Sequence, residues 1–128
     1  MSSFKDLRIV DNFYQTSSFF PMPTICISTV NPDGSLNIGT YSLCFPYYIA
    51  GKNRYAMLLE CRNTSNTAMN LLRTGKCALN FITDEKETFK EAVRLGFPGP
   101  SSDKMPDLKF AMEDGQADPQ DPNRPQVI

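Results

Sequence analysis

The chain contains no histidine among its 128 residues. That absence removes Ser-His-Asp and Cys-His catalytic arrangements and deprives zinc and iron sites of their commonest nitrogen ligand. The four cysteines, Cys26, Cys44, Cys61 and Cys77, form no Cys-x-x-Cys pair. Each lies in an apolar or strand-like run, where a reduced thiol behaves as a small hydrophobe. No apolar run approaches the roughly 20 residues needed to span a bilayer. Residues Met1 to Lys5 lack the apolar core of a signal peptide, so a cytoplasmic location is expected. With 13 basic against 14 acidic side chains and no basic stripe, neither nucleic acid nor a membrane surface is an expected partner. No Gly-x-Gly-x-x-Gly follows a strand, which disfavours a Rossmann unit.

The chain does contain enough apolar residues, 41%, to support one domain over 1–128. Leu7, Val10, Phe13 and Tyr14 approach helical spacing, so 1–20 reads as an N-terminal arm or short helix. Pro21 and Pro23 then start an extended segment. Thr24 to Val30 is rich in β-branched residues and reads as a strand. Asn31-Pro32-Asp33-Gly34 is a turn signal, and Ser35 to Phe45 returns as a second strand. Gly51-Lys52-Asn53 marks another turn, followed by an apolar strand, Arg54 to Cys61, expected to be central. A helix over Thr64 to Thr74, with Ala68, Leu71 and Leu72 on its apolar side, ends at Gly75. Lys76 to Ile82 reads as a strand. Asp84 with Glu87 suggests a capping box opening a helix through Leu95. Phe89, Ala92 and Val93 form that helix's apolar face, and its charges are solvated. Residues 97–128 are loop-rich, with a helical turn near Ser102 to Met105. Glu113 to Pro125 is acidic and nearly devoid of apolar residues, hence either mobile or laid across a partner. The pattern is mainly β: a small antiparallel β-barrel with inserted helices.

Two polar segments attract chemical interest. Arg62-Asn63-Thr64-Ser65-Asn66-Thr67 opens a helix, where free N–H groups and the positive dipole end suit a phosphate. Ordinary capping competes with that reading, but capping needs one such residue and this stretch supplies four beside an arginine. The second segment contains Asn37, Thr40, Tyr41 and Ser42. Taken by themselves, Thr40, Tyr41 and Ser42 read better as a strand turning its polar positions to water, and Asn37 could simply complete the hairpin. With few catalytic side chains elsewhere, a bound phosphate-bearing cofactor is where chemistry would reside.

Pro21-Met22-Pro23-Thr24 leading into Ile27 to Gly34 resembles the opening of flavin reductase-like, FMN-binding split-barrel proteins. Asn37 to Ser42 resembles that family's Asn-x-(small)-x-aromatic-Ser segment. Asn66 to Leu71, before Thr74 to Asn80, is similar to its Thr-x-x-Asn helix and following strand. The resemblance covers about residues 20–96. It implies a six-stranded antiparallel split barrel that forms a homodimer, with FMN in a groove between subunits. The FMN phosphate would be held by Thr40 to Ser42 and by residues near Arg62 to Thr67. NADH or NADPH would deliver hydride to the flavin, which passes electrons to an acceptor, while the protein binds and tunes it. A non-catalytic flavin-binding or electron-carrier module, and a degenerate dimer without flavin, are the competing expectations. Phe45, Tyr47 and Tyr48 would face either the ring or the core and dimer interface. Lys52 and Arg54 would be exposed loop charges or nucleotide contacts.

The chain departs from the family in two places. Ala50 to Arg54 replaces the usual Pro-Pro pair. The sequence also ends at Ile128, about where the family begins another strand. The expectation is therefore a barrel lacking its C-terminal strands, in a naturally shorter or truncated chain, with an exposed edge for a partner subunit to cover.

Overall fold

The computed structural model of the chain describes residues 22–47, 56–115 and 118–128. The expected N-terminal helix, the turn at 51–53, and Tyr48, Lys52 and Arg54 lie outside them. The central strand is β1 (Ile25–Val30), whose six residues are all buried. β2 (Leu36–Tyr41) and β5 (Ala78–Phe81) flank it antiparallel, in the order β2-β1-β5. Ile25 faces Tyr41 on one side and Phe81 on the other. The β1–β2 turn forms as expected, with Gly34 at φ +83° and Asp33 Oδ1 accepting from the Ser35 N–H at 2.9 Å. Glycine tolerates that backbone where a Cβ would not.

The long second strand expected over Ser35 to Phe45 is two strands. The chain bends at Ser42 and re-enters as β3 (Cys44–Tyr47), which pairs with β4 (Ala56–Leu59) in a separate two-stranded sheet. β1 supplies a partner only as far as Ile25, opposite Tyr41, and Pro23 beyond it has no N–H to extend the ladder. The apolar run expected to be central is thus β4, with Met57 and Leu58 exposed. A short apolar run cannot be placed by periodicity alone. Among the described residues the strands form three small antiparallel sheets and no closed barrel; the architecture mixes sheet and helix.

Alternation along β1 sends neighbours to opposite faces. Cys26 and Ile38 form one cluster with Ala92 and Leu95. Ile25, Ile27 and Cys44 form a second. Each fully buried aliphatic side chain contributes roughly 1.5–3 kcal/mol. Not every thiol is a core residue: Cys26 and Cys44 are buried, Cys61 is half-buried and Cys77 exposed. Burial pushes the Cys26 thiol above its ordinary pKa.

α1 (Asn66–Thr74) starts after Ser65, whose Oγ accepts from the Ala68 N–H at 3.1 Å. It ends at Gly75 in the left-handed region, φ +67°, with the Gly75 N–H on Leu71 O. Its buried side is the expected apolar one only in part, through Ala68 and the half-buried Leu71. Thr67, Ala68 and Asn70 are buried, while Leu72 is 82% exposed. α2 (Lys86–Gly96) keeps only Ala92 of its expected face: Ala92 and Leu95 are buried, Phe89 and Val93 exposed.

The expected capping box does not form in α2. Glu85 occupies the cap without a side-chain bond, and Glu87 instead pairs with Lys90 at 2.6 Å. Nor are all its charges solvated. Glu91 is buried and held by Arg94, Nε to Oε2 at 2.8 Å, and by the Lys109 N–H at 3.0 Å. The Arg94 hydrogen bond holds the Glu91 carboxyl below its usual pKa.

The acidic tail is laid on its own chain. A helical turn, α3 (Ser101–Lys104), precedes β6 (Glu113–Asp114), which pairs with β7 (Gln126–Val127). Lys76 pairs with Asp121, Arg124 with Asp114, and Ser28 Oγ donates to Gln126 O. The Ile128 N–H reaches Asn80 Oδ1 at 3.0 Å. Charge pairs and hydrogen bonds dock this segment, together with burial of Pro125. No helix among the described residues is long and apolar enough to cross a membrane.

Candidate functional site

A cleft of about 220 Å³ opens where the start of α1, the end of β2 and the end of α2 meet. Eight of the ten residues singled out in the sequence line it: Asn37, Thr40, Tyr41, Arg62, Thr64, Ser65, Asn66 and Thr67. Ser42 and Asn63 do not. The bend after β2 carries Ser42 off the end of the ladder, and Asn63 is exposed in the turn before α1. The remaining lining is Gly39, Leu95 to Gly99 and Lys104.

A buried polar network sets the position of the α1 N-terminus. Asn37 Nδ2 donates to Thr29 Oγ1 at 3.0 Å and to Thr67 Oγ1 at 3.3 Å. Asn37 Oδ1 accepts from Ser101 Oγ at 2.6 Å. Asn70 Nδ2 donates to Thr29 Oγ1 and Asn31 Oδ1 at 3.1 and 2.9 Å. Asn37 is therefore more than a hairpin residue: it ties β1, β2, α1 and α3 together. Gly39 permits the close approach, because a Cβ there would lie 2.8 Å from both Thr67 Oγ1 and the Tyr41 ring.

Several cleft side chains are already committed. Thr40 Oγ1 donates to Ala92 O at 2.7 Å, tying β2 to α2. Ser65 caps α1, and Asn66 Nδ2 holds Gly99 O at 3.1 Å. Thr67 is 1% exposed, so its hydroxyl serves the network. What remains is a set of donors. The first-turn N–H groups of Asn66 and Thr67 have no acceptor within the helix. The Arg62 guanidinium, the Thr64 hydroxyl and the Tyr41 hydroxyl have no hydrogen-bond partner among the described residues. Capping and ligand readings thus divide the segment between them: Ser65 caps, while Arg62 and Thr64 are available.

Lys104 and the Phe97–Gly99 wall escaped sequence reasoning. The only signal was Pro98-Gly99-Pro100, which marks a loop without saying what it borders. Lys104 Nζ donates to Leu95 O at 3.2 Å and Phe97 O at 3.4 Å. Burial, with added repulsion from Arg94, pushes its ammonium below the ordinary lysine pKa. The arrangement can bind an anion: it offers cations, hydroxyls and helix N–H groups, and no carboxylate lines it. No protein-family model matches the chain, and no curated protein sequence matches it either.

Proposed function

We propose that the protein is an FMN-binding oxidoreductase of the flavin reductase type, a split-barrel relative acting as a homodimer. Hydride would pass from NADH or NADPH to the flavin and on to an acceptor. The observation supporting this reading is the convergence of Tyr41, Arg62, Thr64, Asn66 and Thr67, from two separate sequence segments, on one cleft without carboxylates.

The donors available in the cleft fit a phosphate monoester. Arg62 supplies a bidentate cation, Thr64 and Tyr41 supply hydroxyls, and α1 supplies backbone N–H groups and its dipole. The volume fits part of a nucleotide. Pockets that enclose a whole small molecule run to roughly 300–1,000 Å³, whereas this one holds about 220 Å³. The phosphate and the chain attached to it would lie inside and the ring outside, against a second subunit. When bound, the flavin supplies the redox chemistry. The residues themselves anchor the anionic end, and the buried network keeps α1 in register with it.

The test is absorption spectroscopy of protein mixed with FMN and desalted, followed by stopped-flow mixing with NADH or NADPH in air-free buffer. Retained flavin bands that bleach on mixing are the expected result. Retained bands that do not bleach identify a non-catalytic flavin carrier. A colourless protein favours the dimer without flavin, a reading supported by the number of cleft side chains already satisfied internally.

A further inference from the structure

We propose that Lys104 is a second anion-contacting residue of the cleft, holding a ligand phosphate from the wall formed by Leu95 to Gly99. This rests on the FMN reading and specifies which side chain would carry the phosphate's second charge. An ammonium has three N–H donors. Two are spent on Leu95 O and Phe97 O, at the carbonyl end of α2. The third has no acceptor among the described residues, and the side chain lines the cleft.

The two carbonyls also fix the long side chain, so less conformational freedom is lost when a ligand binds than for a free lysine. Arg62 is the other cation lining the cleft. Two cations and no carboxylate match a dianionic phosphate ester better than a carboxylate or a neutral ligand.

The surrounding charges are accounted for. Arg94 on α2 is spent on Glu91 and on the carbonyls of Lys104 and Asp107. Asp103 on α3 lies next in the chain, and Tyr41 and Arg62 share the cleft. The lowered pKa of Lys104 follows from burial and from Arg94. A bound dianion would stabilise the ammonium and raise that value again.

The experiment titrates FMN and riboflavin, by fluorescence quenching, against the wild-type protein, K104M and K104R. The expected result is that K104M weakens FMN binding by about tenfold or more, leaves riboflavin unchanged, and is largely rescued by K104R. Wild-type affinity for FMN should also fall as pH rises through the lowered lysine pKa. K104R, which retains Tyr41 and a permanent charge, should lose that dependence. The pH profile decides the matter even where K104M folds poorly. Equal FMN affinity for wild type and K104M overturns the role of Lys104 and leaves the FMN reading standing. Equal losses of FMN and riboflavin make Lys104 a strut for the 97–99 wall and overturn the proposal. No FMN binding by the wild-type protein overturns both.

Discussion

α1 and α2 pack on opposite faces of the β1–β2 pair, yet they bury different kinds of surface. α2 sets Ala92 and Leu95 against Cys26 and Ile38. α1 sets Thr67 and Asn70 against Thr29 and Asn37 and leaves Leu72 in water. Apolar packing is non-directional and scales with area, so the α2 face mainly supplies stability. Hydrogen bonds require defined distances and angles, so the α1 face fixes where the helix begins. Fixing that point matters because the first turn of α1 is one wall of the cleft.

Three substitutions probe the contrast, in order of expected size. Ile38→Ala on the apolar face should cost about 3 kcal/mol of stability, measured by urea denaturation. At a temperature where the variant is folded, its affinity for FMN should be close to wild type. A large affinity loss would show that both faces shape the cleft. Asn37→Ala on the polar face should cost less, about 2 kcal/mol, yet weaken FMN binding severalfold because the α1 N-terminus loses its tie to β2. Unchanged binding would reduce the network to a stability device.

The smallest effect concerns Glu91, a charged residue buried on the α2 side. Its folded pKa lies below the ordinary 4.5, so its contribution is fully present above that value and is lost as pH falls through the folded pKa. Comparing wild type with Glu91→Gln should show a gap of about 1 kcal/mol near neutrality. That gap should close in acid. A gap that stays constant as pH falls, through to acid unfolding, would mean the carboxylate is not what holds Arg94 and Lys109.

The sequence was informative where local chemistry and tertiary placement agree. The Asn31–Gly34 turn, β1, β5 and the Gly75 stop of α1 follow from residues whose preferences are local. Helix faces did not follow, because Thr67 and Asn70 are buried by hydrogen bonds to Thr29 and Asn37 that periodicity does not register. β3 and β4 were misplaced since a short apolar run looks alike in a central strand and in a ribbon. The tail misled for the same reason as α1: Asp121, Arg124 and Gln126 dock through polar partners, and apolar content is silent about those. Within the cleft, Arg62, Thr64 and Asn66 were legible as a polar cluster at a helix start. Lys104 was not, because only the fold brings it beside Leu95 and Phe97.

The measurement that bears most directly on the cleft is a side-by-side fluorescence titration of wild-type protein with FMN and with riboflavin, which differ only by the phosphate. FMN should bind at least about tenfold tighter, as one or more charge-assisted hydrogen bonds require, with the difference removed by Arg62→Ala combined with K104M. Equal affinity for the two flavins, or binding of neither, would contradict this expectation.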